Sequence, residues 1–120
     1  MADGDTYTLT HGRYKGATRV SIDKASATTH TLVAAIASRK IRVMRALLMV
    51  EGAASTANIH EADSSATIYG AIEAITGSIA TVIAIDEDDG VETPTAGKAL
   101  QLTLSPGSSI SGFVDYKENI

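Results

Sequence analysis

Three kinds of side chain in this 120-residue sequence have the chemistry to act on something: three histidines, an acidic run and a basic cluster. His11, His30 and His60 are scattered. No pair has the i, i+4 spacing of a helical metal site, and none forms an i, i+2 pair on a strand. The expectation is solvated or hydrogen-bonded imidazoles and no metal. Asp86-Glu87-Asp88-Asp89-Gly90 packs carboxylates as densely as a Ca²⁺ loop wants them. The EF-hand order fails, because the glycine comes fifth rather than sixth and position twelve is Gly97, not a glutamate. The run therefore reads as a polar loop turned by Asp-Gly. Arg39, Lys40, Arg42 and Arg45 form the basic cluster. On a strand, Lys40 and Arg42 share one face, while Ile41, Val43 and Arg45 share the other. This cluster is either a solvated outer face with one inward or edge-pointing arginine, or a docking surface for an acidic partner.

Catalytic patterns are missing. Gly107-Ser108-Ser109-Ile110-Ser111-Gly112 does not fit the G-x-S-x-G nucleophile elbow, and there is no G-x-x-x-x-G-K-[ST] phosphate loop. No catalytic residue and no cofactor is expected. There is no cysteine, which excludes disulfides and thiolate metal sites.

The elements that must position these residues are strands. Arg19–Asp23 places Val20 and Ile22 on one face. Thr28–Val33 is a β-branched run, and Leu100–Leu104 puts three leucines on one side. Thr67–Ile75, Ile79–Ile85 and Ile110–Tyr116 also read as strands. In Ile79–Ile85 the isoleucines 79, 83 and 85 lie opposite small residues, as in a strand covered on both faces. Gly70 and Gly112, inside their strands, signal bulges or close backbone approach. Residues 32–51 are rich in helix formers, yet the alternation Lys40-Ile41-Arg42-Val43 and the missing N-cap favour strands. The spacing predicts a break near Ala37-Ser38-Arg39, a long strand from Lys40 to Val50, and a turn over 51–55. About eight strands without βαβ alternation make an all-β, two-sheet antiparallel β-sandwich. Residues 1–16 hold three glycines and one large aliphatic, Leu9, and read as an N-terminal arm; 17–120 form the domain.

Composition bounds the function. A hydrophobic content of 44% suits a globular domain, and no run approaches the ~18 apolar residues of a spanning helix. The start, Met1-Ala2-Asp3-Gly4-Asp5, is unlike a secretory signal. Nineteen alanines, one phenylalanine and no tryptophan make a core of small side chains, for which subunit association is a common remedy. A homotrimer is expected. The net charge of −4 divides into +4 over residues 1–60 and −8 over 61–120. That division means either two differently solvated faces or a basic patch that meets an acidic neighbour. The acidic total and the lack of aromatics among the basic residues disfavour nucleic acid.

Gly90-Val91-Glu92-Thr93-Pro94-Thr95-Ala96-Gly97-Lys98-Ala99-Leu100-Gln101-Leu102-Thr103-Leu104-Ser105 resembles a run of the form G-x-(F)-E-T-x-x-G-x-A-L-x-L-x-L-S found in small virion proteins of tailed bacteriophages. In these proteins, as in Ser111–Tyr116, a last strand ending in an aromatic follows. The strand at Lys40–Val43 with its sequel Glu51-Gly52-Ala53-Ala54 is similar too. The resemblance covers residues 19–117. It departs at Val91, where an aromatic is usual, and at 86–89, where a Gly/Pro-rich loop is usual. It implies a jelly-roll capsid decoration, or cement, protein: a trimer on the exterior of the virion, with the major capsid protein as its partner and no catalytic site. In that role Arg39, Lys40, Arg42 and Arg45 are the candidate partner-binding residues. The alternative is a carbohydrate- or receptor-binding jelly-roll module of a tail or fibre, against which four Tyr and one Phe offer few stacking platforms.

Overall fold

The structure is a computed structural model that describes residues 4–24, 29–51, 54–63, 69–76, 81–104 and 109–119. Alternating β-branched and polar residues build nine strands among the described residues: β1 (Thr6–Thr8), β2 (Thr18–Lys24), β3 (Thr29–Val33), β4 (Lys40–Glu51), β5 (Ala54–Glu61), β6 (Tyr69–Thr76), β7 (Thr81–Glu92), β8 (Leu100–Leu104) and β9 (Ser109–Asn119). They form a five-stranded sheet in the order β1-β2-β9-β4-β7 and a four-stranded sheet in the order β3-β8-β5-β6.

All neighbouring strands are antiparallel, and the pairing follows one rule. β5 pairs with β6, β4 with β7, β3 with β8 and β2 with β9. The chain is thus one long hairpin folded at the β5–β6 connection and rolled up, with successive rungs falling in alternate sheets. The pairs β4–β9 and β5–β8 knit the rungs together. This is a jelly-roll β-sandwich.

The inner faces meet in a core of aliphatic residues. Val20, Ile22, Ile41, Val43, Leu48, Val50, Ile110 and Val114 come from the larger sheet, and Leu32, Val33, Ile59, Leu100 and Leu102 from the smaller. β8 keeps the period of two, with Leu100 and Leu102 buried and Thr103 exposed. Gly112 has φ +140, and a Cβ there would fall on the Leu47 carbonyl oxygen, which is the close backbone approach anticipated at this glycine.

Several expectations are corrected. Arg45 does not share a face with Ile41 and Val43. The pairing of β4 with both neighbours shifts register between Val43 and Arg45, where a bulge inserts one extra residue on β4 relative to β9. Beyond it Ala46, Leu48 and Val50 are buried, while Arg45 joins Arg42 on the outer side. The acidic run is not a loop after a strand. It lies within β7, between Asp86, opposite Arg45, and Val91, opposite Val43, as a longer excursion of the same ladder. Of the turn expected over 51–55, Glu51 belongs to β4 and Ala54 and Ser55 to β5, while 52–53 lie outside the described residues. β5 went unread because Ile59 is its one large aliphatic residue.

Within the stretch read as an arm, Thr6–Thr8 pairs with β2, the Leu9 N–H donates to the Ala17 carbonyl, and the Gly16 N–H donates to the Leu9 carbonyl. Tyr14 and Ala17 are buried against Met44 in a small second core. Gly70 lies in β6 where its pairing with β5 shifts register between Ile72 and Tyr69, which is the bulge anticipated at this glycine, and Ile79 lies outside the described residues.

Candidate functional site

The basic cluster begins where β4 begins, and residues 92–97 are what hold it. Glu92, at the end of β7, accepts hydrogen bonds from Arg42 Nη2 at 3.2 Å and Nε at 3.4 Å, and Lys40 Nζ stands 3.7 Å from its other oxygen. The next residue, Thr93, is buried. Its N–H donates to the Ile41 carbonyl at 2.9 Å, and its hydroxyl accepts the Ile41 N–H at 3.0 Å. Gly97, at φ +81, donates its N–H to the Arg39 carbonyl at 2.8 Å. The far side of the strap is tied to β5. The buried Glu61 carboxylate accepts from the Thr95 N–H at 3.0 Å and the Thr95 hydroxyl at 2.9 Å. Lys98 reaches Asp63 at 3.0 Å, and that contact raises the ammonium's pKa above its ordinary value. The motif is a strap that closes the end of the sandwich.

The fourth basic residue, Arg45, belongs to a transverse row on the outer face of the five-stranded sheet. Tyr7 lies opposite Arg19, Arg19 opposite Asp115, and Asp115 opposite Arg45. The Asp115 side chain is fully buried beneath the two guanidinium groups. Arg19 grips it with both Nε and Nη2 and gives a further hydrogen bond from Nη1 to the Tyr7 hydroxyl at 3.2 Å. These bonds push the Arg19 pKa above its ordinary value, with the hydrogen bond to Asp115 the largest cause. Arg45 Nε donates to Asp115 Oδ2 at 3.2 Å. The guanidinium carbon of Arg19 sits 3.9 Å from the centre of the Phe113 ring, with that of Arg45 at 5.5 Å, so both cations also face the ring.

These contacts join the two halves of the charge division in part. Arg19, Lys40, Arg42 and Arg45, from the basic half, pair with Glu92 and Asp115, from the acidic half. The four candidate residues are not one patch: Lys40 and Arg42 converge on Glu92, Arg45 turns to Asp115, and Arg39 enters through its backbone. Lys40, Arg42 and Arg45 each keep about a third or more of their side-chain surface exposed.

Beside the row, the same face turns apolar. Leu47, opposite Phe113, is 47% exposed, and Met49, opposite Ser111, is 41% exposed. Alternation explains them, since their neighbours Ala46, Leu48 and Val50 fill the core. Nothing in the sequence marks this pair, because Leu47 and Met49 sit in an unbroken apolar run from Ala46 to Val50 and only the pairing decides which of them face out.

The histidines stay apart. His11 is exposed beside Thr10, His30 is buried on β3, and His60 on β5 bonds the Glu61 carbonyl and the Thr103 hydroxyl. Among the described residues, no three His, Asp or Glu side chains gather as a metal ion would need. Compared with family models, curated proteins and solved structures, the chain matches none.

Proposed function

We propose that this protein is a non-enzymatic structural component of a phage virion, a decoration protein that binds the outer surface of the head at junctions of the major capsid protein. The observation that carries the reading is the exposed pair Leu47 and Met49 on the outer face of the larger sheet, beside the two arginines that share Asp115. An apolar centre with a polar border is the anatomy of a protein–protein interface. In this reading Leu47, Met49 and Phe113 make the centre, while Arg45, Arg42, Lys40 and Arg39 lie toward its rim. The jelly roll supports the reading as a rigid platform, and the resemblance of residues 90–105 supplies the class of particle. A homotrimer is part of the same proposal, because a small chain with nineteen alanines and a single phenylalanine gains from association.

The test is attachment. Heads stripped of the protein are titrated with the wild-type chain and with the double variant Leu47→Asp/Met49→Asp, and bound protein is measured by co-sedimentation. The expected result is saturable wild-type binding and loss of binding by a variant that still folds. Equal binding by the two, or no wild-type binding to heads, overturns the reading.

A further inference from the structure

At the end of the sandwich where β1 and β3 lie, a half-open cavity of about 210 Å³ runs between the sheets. Its walls are Val20 from β2 and Leu32 and Val33 from β3, with hydroxyl-bearing Thr6, Thr31 and Tyr116 also lining it. No charged residue lines it among the described residues. An apolar cavity of roughly 150 Å³ holds a benzene ring, so this one has room for a single ring or a branched aliphatic group. The Tyr116 phenol is held above its ordinary pKa of 10.0, mainly by burial, and stays a neutral hydrogen-bonding group.

The position of the cavity says how such a group would arrive. β3 is the last strand of its sheet. One side of it pairs with β8, and among the described residues no strand pairs with the other. Its alternate residues Thr29 and Thr31 are exposed. β1, across the cavity, is also a terminal strand of its sheet and is three residues long. An open edge offers unpaired backbone donors and acceptors, and the matching ligand is another extended chain.

We propose that the β3 edge accepts an extended segment of a partner protein by strand addition, with one large uncharged side chain of that segment seated in the cavity. The backbone ladder supplies contact without regard to sequence, and the cavity supplies selection, because a charged side chain would lose its hydration against uncharged walls. This site is distinct from the Leu47–Met49 face and does not depend on a role in capsids.

The probes are toluene and the blocked pentapeptide acetyl-Thr-Phe-Thr-Val-Thr-amide, with a control peptide in which Lys replaces Phe. Both toluene and the first peptide are expected to shift the methyl resonances of Val20, Leu32 and Val33 saturably. The peptide is also expected to slow amide exchange in Thr29–Val33, whereas the Lys control does neither. Ala34 lines the cavity yet is exposed, so Ala34→Glu leaves the core intact while placing a carboxylate at the opening. It is expected to weaken both ligands by roughly tenfold or more, and Ala34→Ser to bind as wild type does. Toluene binding without amide protection by the peptide would leave a small-molecule socket and overturn the strand partner. Unchanged binding by Ala34→Glu, or no shift with either probe, overturns the site itself.

Discussion

Arg19 and Asp115, ninety-six positions apart in the chain, meet through two parallel hydrogen bonds, Nε to Oδ1 at 2.6 Å and Nη2 to Oδ2 at 2.8 Å. The pair ties β2 to β9, and Arg45 extends it to β4. The carboxylate is the buried partner, so the cost of breaking the pair depends on which side is removed. Arg19→Leu leaves Asp115 buried with one remaining cation and is expected to cost about 3 kcal/mol. Arg45→Leu removes the more exposed cation and is expected to cost about 1 kcal/mol or less. Urea unfolding of both variants checks the order, and equal losses would contradict the asymmetry.

Gly112 is a second sensitive point. Gly112→Ala must displace the Leu47 backbone as well as adopt a φ that L-residues avoid, so it is expected to cost at least about 3 kcal/mol or to prevent folding. Gly4→Ala is the control. It faces open space at φ +82 and carries only the left-handed backbone cost of about 1 kcal/mol. Thermal unfolding of the pair separates steric conflict from backbone strain.

The N-terminal stretch makes a prediction in hydrogen exchange. The amides of Leu9, Gly16, Ala17 and Ser21 donate to backbone carbonyls and are expected to exchange slowly in the free protein. Fast exchange at all four would restore the picture of a detached arm.

Tyr116 gives a pH dependence. Burial is the first cause of its raised pKa, and the nearby Glu118 charge adds to it. The folded chain therefore holds the phenolic proton more tightly than the unfolded chain does. Its contribution to stability is complete below about pH 10 and declines as pH rises from there through the higher folded-state value. Denaturant midpoints measured on both sides of pH 10 for wild type and Tyr116→Phe check the sign: the wild type loses stability faster.

If the rim of the proposed interface is cationic, Lys40→Ala/Arg42→Ala is expected to slow attachment to stripped heads at low salt, with little effect near 1 M salt, where the Debye length is about 3 Å. Because Glu92 already neutralises both cations in part, the effect should be smaller than that of Leu47→Asp/Met49→Asp. A salt-independent rate for both proteins would remove these residues from the interface.

The alternation within a strand is local, and it was readable. Leu100, Leu102 and Leu104 announce β8 by themselves, and Lys40-Ile41-Arg42-Val43 announces β4 against its own helix-forming residues. Even the strand glycine at 112 carried its meaning, because a residue without a side chain inside an apolar alternation marks a place where another backbone comes close. Facts that depend on a partner strand were not readable. The bulge between Val43 and Arg45 moves Arg45 to the outer face, and it exists because β4 must match β9 and β7 at once. The acidic run leaves the ladder after Asp86, opposite Arg45, and the ladder resumes at Val91, opposite Val43. Tyr7, Arg19, Asp115 and Arg45 form a row through the registers of four strands, which no spacing along the chain encodes. β1 has too few apolar residues to be seen before β2 is there to pair with it. The sequence by itself determined most of the strands, though not β1 or β5, and that they form a sandwich, since a period of two is a property of neighbours. The tertiary structure alone decided which charges meet and which apolar residues stay in water, because cross-strand register is set by the whole sheet.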